Sequence, residues 1–421
     1  MNCFSQCKNA FRHLWPGLAI LVFAACGMSN SASADRESAG EYEVHYTITP
    51  LRSSSTVSVE LRLRQPQALL RELSFLANES ITGLSGTGQV VEREDRVVWY
   101  PAAAGGTLRW VATVRSERGS GNFDALLRND WGIFRMEDII PRARTRTLRG
   151  ATSRTSFEFR LPEGWSAATE YSSIENPVVV DRTERRFDQP TGWIAVGELG
   201  VRRETIAGTR VAIVAPRGES MRRMDMLALL NWTLPELAEI LPDALPRLTI
   251  VGAGEPMWRG GLSAPASVFL HAERPLISEN ATSTLLHEVM HVALGIRPRL
   301  GYDWIVEGLA EYYSIELLRR SRAITANRAS TALRMQRDWG EQAETLCADS
   351  SVAAITALAV SVFEDLNREF SAATDGESNL DDLLPDLVNK DVDLALLAAL
   401  ASNLSGAPSD VLHIDKLPVC N

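Results

Sequence analysis

The chain has 421 residues, of which 45% are hydrophobic and 23% are charged. This composition is typical of a soluble globular protein, and the length predicts two or three domains. The chain has 43 Lys and Arg residues against 53 Asp and Glu residues, which gives a formal net charge of −10. This acidic balance argues against a nucleic-acid-binding protein and against a polybasic membrane-surface protein.

Residues 1–34 resemble a signal peptide. Two basic residues precede an apolar stretch at 14–26, which is shorter than the ~20 apolar residues of a membrane span. A small-x-small pattern ends at Ala34, and cleavage after this residue is the favoured interpretation. The segment before Cys26 also resembles a lipoprotein signal, which leaves open a lipid anchor at Cys26. Both routes predict an exported protein, periplasmic or extracellular. Lipidation at Cys26 would make it a membrane-anchored lipoprotein.

Cysteine usage agrees with export. After cleavage at Ala34 only Cys347 and Cys420 remain in the mature chain. Two cysteines in an exported protein predict a disulfide between them. No other apolar run is long enough to predict a transmembrane span.

Residues 35–205 alternate between apolar and polar side chains, with Gly, Pro and Asn between the segments. The apolar positions recur at every second residue in four segments, and they are Tyr42, Val44, Tyr46 and Ile48; Val57, Val59, Leu61 and Leu63; Leu108, Trp110, Ala112 and Val114; and Phe157, Phe159 and Leu161. This period predicts half-buried antiparallel strands. We therefore expect an N-terminal antiparallel β-sandwich domain, in which we find no catalytic group of side chains.

A different pattern follows in residues 206–330 and 331–421. The first of these ranges contains three short apolar strands, predicted at 211–214, 248–251 and 267–270, and one helix, predicted at 221–240. Strand-helix-strand order predicts an α/β or α+β catalytic domain. The second range contains apolar helical segments at 353–370 and 392–404, and we expect it to form a helical C-terminal domain.

The sequence His287-Glu288-Val289-Met290-His291 is an H-E-x-x-H motif. Residues i and i+4 share one face of a helix, so both imidazoles can bind one zinc ion, and Glu288 lies beside the metal as a general base. Polar residues at 282–284 can begin this helix, and Gly295 can end it. The competing interpretation is a pair of unrelated histidines on the surface of an amphipathic helix.

Zinc requires a third protein ligand and an open position for water. Fifteen residues separate His291 from Glu307, and a break at 297–302 allows a second helix to fold back on the first. Glu307 is therefore the predicted third ligand. Glu311 lies four residues later on the same helix face, where it can hydrogen-bond the outer nitrogen of a zinc-bound imidazole.

These residues give the chain a resemblance to the gluzincin metallopeptidases. The H-E-x-x-H motif followed by Trp304-x-x-Glu307-Gly308 is most similar to the glycyl aminopeptidase family and, more distantly, to aminopeptidase N. Upstream, the chain resembles that family's substrate-binding strand in four residues, Gly260, Gly261, Leu262 and Ser263. The resemblance implies a thermolysin-like catalytic domain over 206–330, with zinc held by His287, His291 and Glu307 and with Glu288 as the base.

The chain departs from this family at two places. Ser263 stands where the family carries a Glu that helps to hold the free amino terminus of the substrate, so the resemblance implies altered recognition of that terminus. Aminopeptidase N also uses a Tyr further downstream to stabilise the oxyanion, but this chain has no Tyr after Tyr313. The candidates for an oxyanion donor are therefore Tyr312, Tyr313 and His413.

Taken together, the sequence predicts a multidomain α+β protein that is a zinc-dependent peptidase acting on peptides or proteins. Two alternatives stay open: a zinc amidase or other non-peptide hydrolase on the same fold, and a catalytically silent binding relative. The intact Glu288 argues against the silent relative, because the general base is the residue that an inactive protein no longer needs.

Overall fold

The structure is a computed structural model that describes residues 40–76, 79–93, 95–119, 121–171, 177–180, 187–415 and 417–419. The predicted signal peptide, Cys26 and Cys420 lie outside these residues, so cleavage, lipidation and the disulfide stay predictions. All the described residues belong to one compact unit, Ser38–Asn421. Among the helices in these ranges, none combines the length and the apolar character needed to span a bilayer.

The N-terminal part consists mainly of strands, with one short helix, α1 (Met136–Ile139). The strands are β1 (Glu41–Leu51), β2 (Thr56–Arg64), β3 (Leu70–Leu76), β4 (Ile81–Gly86), β5 (Gln89–Arg93), β6 (Arg96–Tyr100), β7 (Gly105–Thr113), β8 (Arg115–Glu117), β9 (Phe123–Leu127), β10 (Trp131–Arg135), β11 (Ala143–Thr147), β12 (Thr152–Phe159), β13 (Ser166–Ala168), β14 (Val178–Val179) and β15 (Trp193–Gly197).

These strands form three sheets around a shared apolar core. Their orders are β14-β12-β1-β2-β7-β4, β11-β3-β6-β5 and β13-β15-β10-β9-β8. The core takes every second residue of β1, β2 and β7, and Tyr42, Val59 and Leu108 are completely buried. The predicted period-two alternation is therefore confirmed in these strands.

One pair of strands differs from the prediction. β1 and β12 run parallel, from Glu41 opposite Thr152 to Ile48 opposite Phe159. The expectation of a wholly antiparallel domain is wrong at this pair. Side-chain alternation reports which face of a strand is buried, but it carries no information on the direction of the neighbouring strand.

The following part of the chain packs helices on a mixed sheet of order β16-β17-β18-β20-β19. Its elements are β16 (Leu199–Ile206), β17 (Thr209–Pro216), α2 (Arg223–Ile240), β18 (Arg247–Val251), β19 (Gly261–Ala264), β20 (Ser267–Leu270), α3 (Thr284–Leu294), β21 (Arg297–Pro298) and α4 (Asp303–Arg320). β17, β18 and β20 are parallel, whereas β16 and β19 run antiparallel to their neighbours. The strand β19 is last in this order, at the edge of the sheet.

The C-terminal part is helical. It comprises α5 (Ala326–Gly340), α6 (Ala354–Ala373), a 3-10 turn (Leu380–Leu383), α7 (Leu384–Leu387), the short strand β22 (Asp391–Val392) and α8 (Leu394–Ser405). The apolar faces of these helices share one core with α2, α3 and α4, in which Leu309 and Phe363 are completely buried. The protein is thus a mixed α+β fold with a sheet-rich N-terminal region and a helical C-terminal part.

A separate apolar cluster joins the N-terminal strands to the mixed sheet. The indole ring of Trp193, on β15, packs against Phe269, on β20, with 5.4 Å between ring centroids. The indole Nε1–H donates to the carbonyl of Leu262 at 2.9 Å, and the backbone N–H of Trp193 donates to Ser267 Oγ at 2.8 Å. The N-terminal strands therefore hold β19 and β20 in place.

Candidate metal centre and active site

The helix α3 presents the H-E-x-x-H motif, and its ends match the sequence. Ser283 is the N-cap, and its hydroxyl accepts a hydrogen bond from the backbone N–H of Leu286 at 3.3 Å. Gly295 ends the helix with a φ of 57°, a left-handed conformation that glycine adopts without a steric penalty. Both predicted ends of this helix are confirmed.

The helix α4 brings Glu307 back to α3. The connection between the two helices is held by β21, which pairs in parallel with β22 from the C-terminal part. Arg299 on this connection donates to the carboxylate of Asp393 at 2.8 Å. Asp303 begins α4 but does not cap it, because its carboxylate accepts a hydrogen bond from the backbone N–H of Ser351 at 2.6 Å.

His287, His291 and Glu307 converge on one point. The two Nε2 atoms lie 3.0 Å apart. One carboxylate oxygen of Glu307 lies 3.2 Å from Nε2 of His287, and the other lies 3.3 Å from Nε2 of His291. All three side chains are partly buried, and together they could hold a metal ion.

The donor set and its dimensions fit zinc. Two imidazole nitrogens and a carboxylate are typical zinc ligands, and ligands ~2.0–2.1 Å from a tetrahedral ion lie about 3.3 Å from one another. The separations of 3.0, 3.2 and 3.3 Å are close to this value, the last two being measured to the two different oxygens of Glu307. Three protein ligands also leave a fourth position for water or substrate, as catalytic zinc sites require.

Glu311 fixes the orientation of His287. One of its carboxylate oxygens lies 3.0 Å from Nδ1 of the imidazole. Because a carboxylate only accepts hydrogen bonds, Nδ1 of His287 carries a proton, and Nε2 is the ring atom that would bind a metal ion. Gln336 and Ser314 each donate to the Glu311 carboxylate at 3.4 Å, and so restrain it in turn.

The charges of the group are mutually stabilising. Burial favours the neutral form of Glu307, but the hydrogen bonds with His287 and His291 outweigh burial and hold the pKa of Glu307 well below its usual range. Burial likewise disfavours the imidazolium of His287, but the hydrogen bonds with Glu307 and Glu311 raise the pKa of His287 well above its ordinary value.

Glu288 lies on the same helix but faces β19. The residue is 8% exposed, and its side chain packs on the backbone of Gly261. Successive side chains of a strand point to opposite faces, so Ser263 projects on the same face of β19 as Gly261. Leu262 projects on the opposite face, against the apolar cluster beneath the sheet. Of the four residues predicted as a substrate strand, Gly261 therefore borders the candidate base, Ser263 lies on the same face, and Leu262 lies on the other face.

The three candidate oxyanion donors form contacts with residues other than the histidine pair and Glu307. The Tyr313 hydroxyl donates to Asp381 at 2.9 Å, and Arg320 binds the same carboxylate. Tyr312 is buried against its neighbour, with 5.3 Å between ring centroids. His413 is exposed, and its Nδ1 accepts a hydrogen bond from the backbone N–H of Asp415. In the described part of the chain, no hydrogen bond joins these residues to the histidine pair or to Glu307.

Several residues that shape the site carried no signal in the sequence. Trp193 binds the carbonyl of Leu262, Gln336 binds Glu311, and Arg274 donates to Thr284 on α3. In each of these contacts the two residues lie in different elements, and no helix or strand spacing in the sequence relates them. Only the tertiary fold brings them together.

The chain matches no protein-family model and no curated protein sequence. Its structure, however, is similar to solved structures. One is a crystal structure of an aminopeptidase N family protein from Idiomarina loihiensis, with a TM-score of 0.62 at 15% sequence identity, covering 82% of this chain and 69% of that one. Another is an M1 zinc metallopeptidase E323A mutant from Deinococcus radiodurans, with a TM-score of 0.56 at 14% identity, covering 89% and 92%.

The chain shares its fold with both proteins. At this identity the likeness concerns the fold. The alignments cover most of both chains in each pair. The histidine–glutamate group described above lies within this fold.

Proposed function

We propose that this protein is a zinc-dependent metallopeptidase of the gluzincin type, with a thermolysin-like catalytic part. The observation that carries the proposal is the convergence of His287, His291 and Glu307 at 3.0–3.3 Å beside a buried carboxylate, Glu288. The fold shared with zinc metallopeptidases supports it. Zinc in such a site acts as a Lewis acid that polarises a carbonyl and lowers the pKa of water.

In this proposal the side chains of α3 and α4 have distinct tasks. The Glu288 carboxylate accepts a proton from the attacking water and passes it to the nitrogen of the leaving amine. Glu311 keeps the His287 ring in the tautomer that presents Nε2 to the metal. An extended peptide pairs with the free edge of β19, which places its scissile bond beside Glu288.

Recognition of the substrate's amino terminus is the second part of the proposal. Ser263 lies on the face of β19 that borders Glu288, and its hydroxyl carries no charge to pair with an ammonium group. The acidic residues nearest in sequence, Glu255 and Glu273, both pair with Arg259, at 2.7 and 3.3 Å. We therefore propose a peptidase whose preference for a free amino terminus is weaker than that of aminopeptidases.

The proposal includes the location of the protein. The segment before Ala34 has the features of a signal peptide, so we propose that the mature protein acts outside the cytoplasm, with either cleavage after Ala34 or a lipid anchor at Cys26. The amino-terminal sequence and mass of the protein purified from cells distinguish the two forms.

Zinc content and peptide hydrolysis, measured together, test the catalytic proposal. We expect stoichiometric zinc and hydrolysis that is lost on chelation.

Glu288→Gln should retain zinc and lose turnover, because only the base is removed, whereas Glu307→Ala should bind zinc far more weakly. Full zinc occupancy and activity in Glu307→Ala would contradict the ligand assignment. Hydrolysis of non-peptide amides in the absence of any peptide hydrolysis would favour an amidase.

The amino-terminal proposal has its own measurement, the ratio of kcat/KM for peptides with free and acetylated amino termini. Losing a charge-assisted hydrogen bond should reduce the preference for the free amine by about tenfold. We expect Ser263→Glu to restore the preference, with Ser263→Gln as the uncharged control of similar size. A strong preference for the free amine in the wild-type protein would contradict this part of the proposal.

A further inference from the structure

Arg274 is a cation without an anionic partner beside the candidate active site. It follows β20 by four residues and is partly buried. One Nη donates to the Thr284 hydroxyl at 2.8 Å, whereas Nε is buried without a hydrogen-bond partner. Among the described residues, no carboxylate forms an ion pair with this guanidinium.

The contrast with Arg259 makes this arrangement informative. Arg259 is more exposed, yet it pairs with both Glu255 and Glu273. Removing a cation from water without an anionic partner has a cost in free energy, so partly buried charges in proteins are generally paired. An unpaired guanidinium beside the candidate active site is suited to an anionic group of a ligand.

The contact with Thr284 places Arg274 next to the catalytic face of α3. Thr284 and Glu288 are four residues apart and lie on the same face, one turn or about 5.4 Å along the helix. Both side chains also approach Gly261: a Cβ built there would lie 2.8 Å from Thr284 Cγ2 and 2.7 Å from Glu288 Cγ. Arg274 is therefore hydrogen-bonded to a residue that lies one helical turn before the candidate base.

The register of β19 shows on which side of the scissile bond this cation lies. Ser263 pairs with Val268 and Gly261 pairs with Leu270, while the carbonyl of Gly260 accepts a hydrogen bond from the backbone N–H of His271 at 3.0 Å. The direction from Ser263 to Gly261 thus leads towards Arg274. In the proposed function the amino-terminal residue of the substrate lies near Ser263, so the leaving part of the peptide extends towards Arg274.

We propose that Arg274 binds a carboxylate in the leaving part of the substrate, one or two residues beyond the scissile bond. A peptide advances ~3.3–3.6 Å per residue, so a carboxylate at this position matches a guanidinium bound to Thr284, one helical turn before Glu288. The carboxylate is the C-terminus of a short peptide or the side chain of Asp or Glu. This inference rests on the proposed function and specifies its substrate class as peptides with a negatively charged leaving side.

The test uses three dipeptides of the same length: Leu-Ala with a free C-terminus, Leu-Ala amide, and Leu-Asp amide. We expect the wild-type protein to prefer a carboxylate-bearing peptide over Leu-Ala amide by about tenfold or more in kcat/KM, chiefly through a lower KM. Preference for free Leu-Ala alone assigns the C-terminal carboxylate, and preference for Leu-Asp amide assigns the side chain. Equal rates on all three peptides overturn the inference.

Two variants separate recognition from structural support. Arg274→Met removes the charge, so the ratio of kcat/KM for a carboxylate-bearing peptide to that for Leu-Ala amide should fall close to one. Thr284→Val removes the hydrogen bond to Arg274 but keeps the guanidinium, so it should retain the preference. A ratio that survives in Arg274→Met overturns the inference, as does a ratio that is lost in Thr284→Val while zinc content and folding are unchanged.

Binding provides a readout that does not depend on turnover. Calorimetry with Glu288→Gln should show about tenfold tighter binding of a carboxylate-bearing peptide than of Leu-Ala amide, and Arg274→Met in the same background should abolish the difference. If the zinc-loaded wild-type protein hydrolyses no peptide, the proposed function fails, whereas calorimetry still decides the role of Arg274.

Discussion

The backbone of Gly261 lies directly against the side chain of Glu288. A Cβ built on Gly261 would lie 2.7 Å from Glu288 Cγ and 2.8 Å from Thr284 Cγ2, separations that real Cβ atoms essentially never show. Both of these atoms lie close to the α3 backbone, so neither can move away as freely as the end of a long side chain. A glycine at this position lets the edge strand approach the base.

We therefore expect Gly261→Ala to lower kcat by about 10–100-fold, because a displacement of Glu288 by part of an ångström misplaces the proton acceptor. Zinc content should stay unchanged, since the atoms nearest to such a Cβ belong to Glu288 and Thr284 and not to the metal ligands. Gly119→Ala is a suitable control, because a Cβ at that position has nothing within 4 Å. Unchanged kcat in Gly261→Ala would show that strand and base can separate without loss.

The contact between Glu311 and His287 predicts an effect on metal affinity. Glu311→Ala should weaken zinc binding by about 10–100-fold, because the ring loses the group that fixes its orientation and tautomer. Competition with a chromogenic chelator measures this change. Ser314→Ala removes a 2.9 Å hydrogen bond to the Glu311 carbonyl and a 3.4 Å hydrogen bond to its carboxylate but leaves the contact with His287, so it should have a much smaller effect. Equal affinities for Glu311→Ala and the wild-type protein would exclude the orienting role.

Trp193 predicts that the N-terminal strands contribute to activity. Trp193→Phe keeps ring packing on Phe269 but removes the hydrogen bond to the Leu262 carbonyl, so it should lower the free energy of unfolding by about 1 kcal/mol and also reduce kcat/KM. Trp99→Phe is a matched control, because its indole donates to the Thr87 carbonyl at 2.8 Å within the N-terminal sheets. Trp99→Phe should lower the free energy of unfolding, measured in urea, by a similar amount and should leave kcat/KM unchanged. If both variants retain kcat/KM, the anchoring of β19 has no catalytic consequence.

The pairing of Cys347 with Cys420 stays a prediction that the surrounding backbone supports. The N–H of Leu346 donates to the Pro418 carbonyl at 2.6 Å, which brings the two cysteine-bearing segments together. In the loop-entropy account a disulfide closing a loop of this length stabilises the folded protein by about 4 kcal/mol. Mass spectrometry of the non-reduced mature protein should show no alkylatable thiol under denaturing conditions. Two alkylated cysteines would disprove the pairing.

The sequence was informative wherever a feature is encoded by local spacing. The histidine pair, its helix ends at Ser283 and Gly295, and the return of Glu307 follow from helix periodicity and from residues with strong end preferences. The buried faces of β1, β2 and β7 likewise follow from alternation. These features depend on neighbours within about sixteen residues, which a single sequence shows directly.

Features that depend on the packing of distant segments could not be predicted. The parallel pairing of β1 with β12 joins strands more than a hundred residues apart, and alternation is the same for both directions. Asp303 is an acceptable helix cap by type, but the fold uses its carboxylate to bind Ser351 instead. The surroundings of Arg274 are also set by tertiary structure, since its contact with Thr284 depends on how β20 meets α3.

The short pairing of β21 with β22 has a consequence for biosynthesis. The connection that brings Glu307 back to the histidine pair is held by Asp391 and Val392, residues made about ninety positions after it. A chain emerging from the ribosome lacks this support until nearly all of its length has been synthesised. Nascent chains should therefore bind zinc poorly, so the candidate metal centre stays incomplete until the molecule is almost finished.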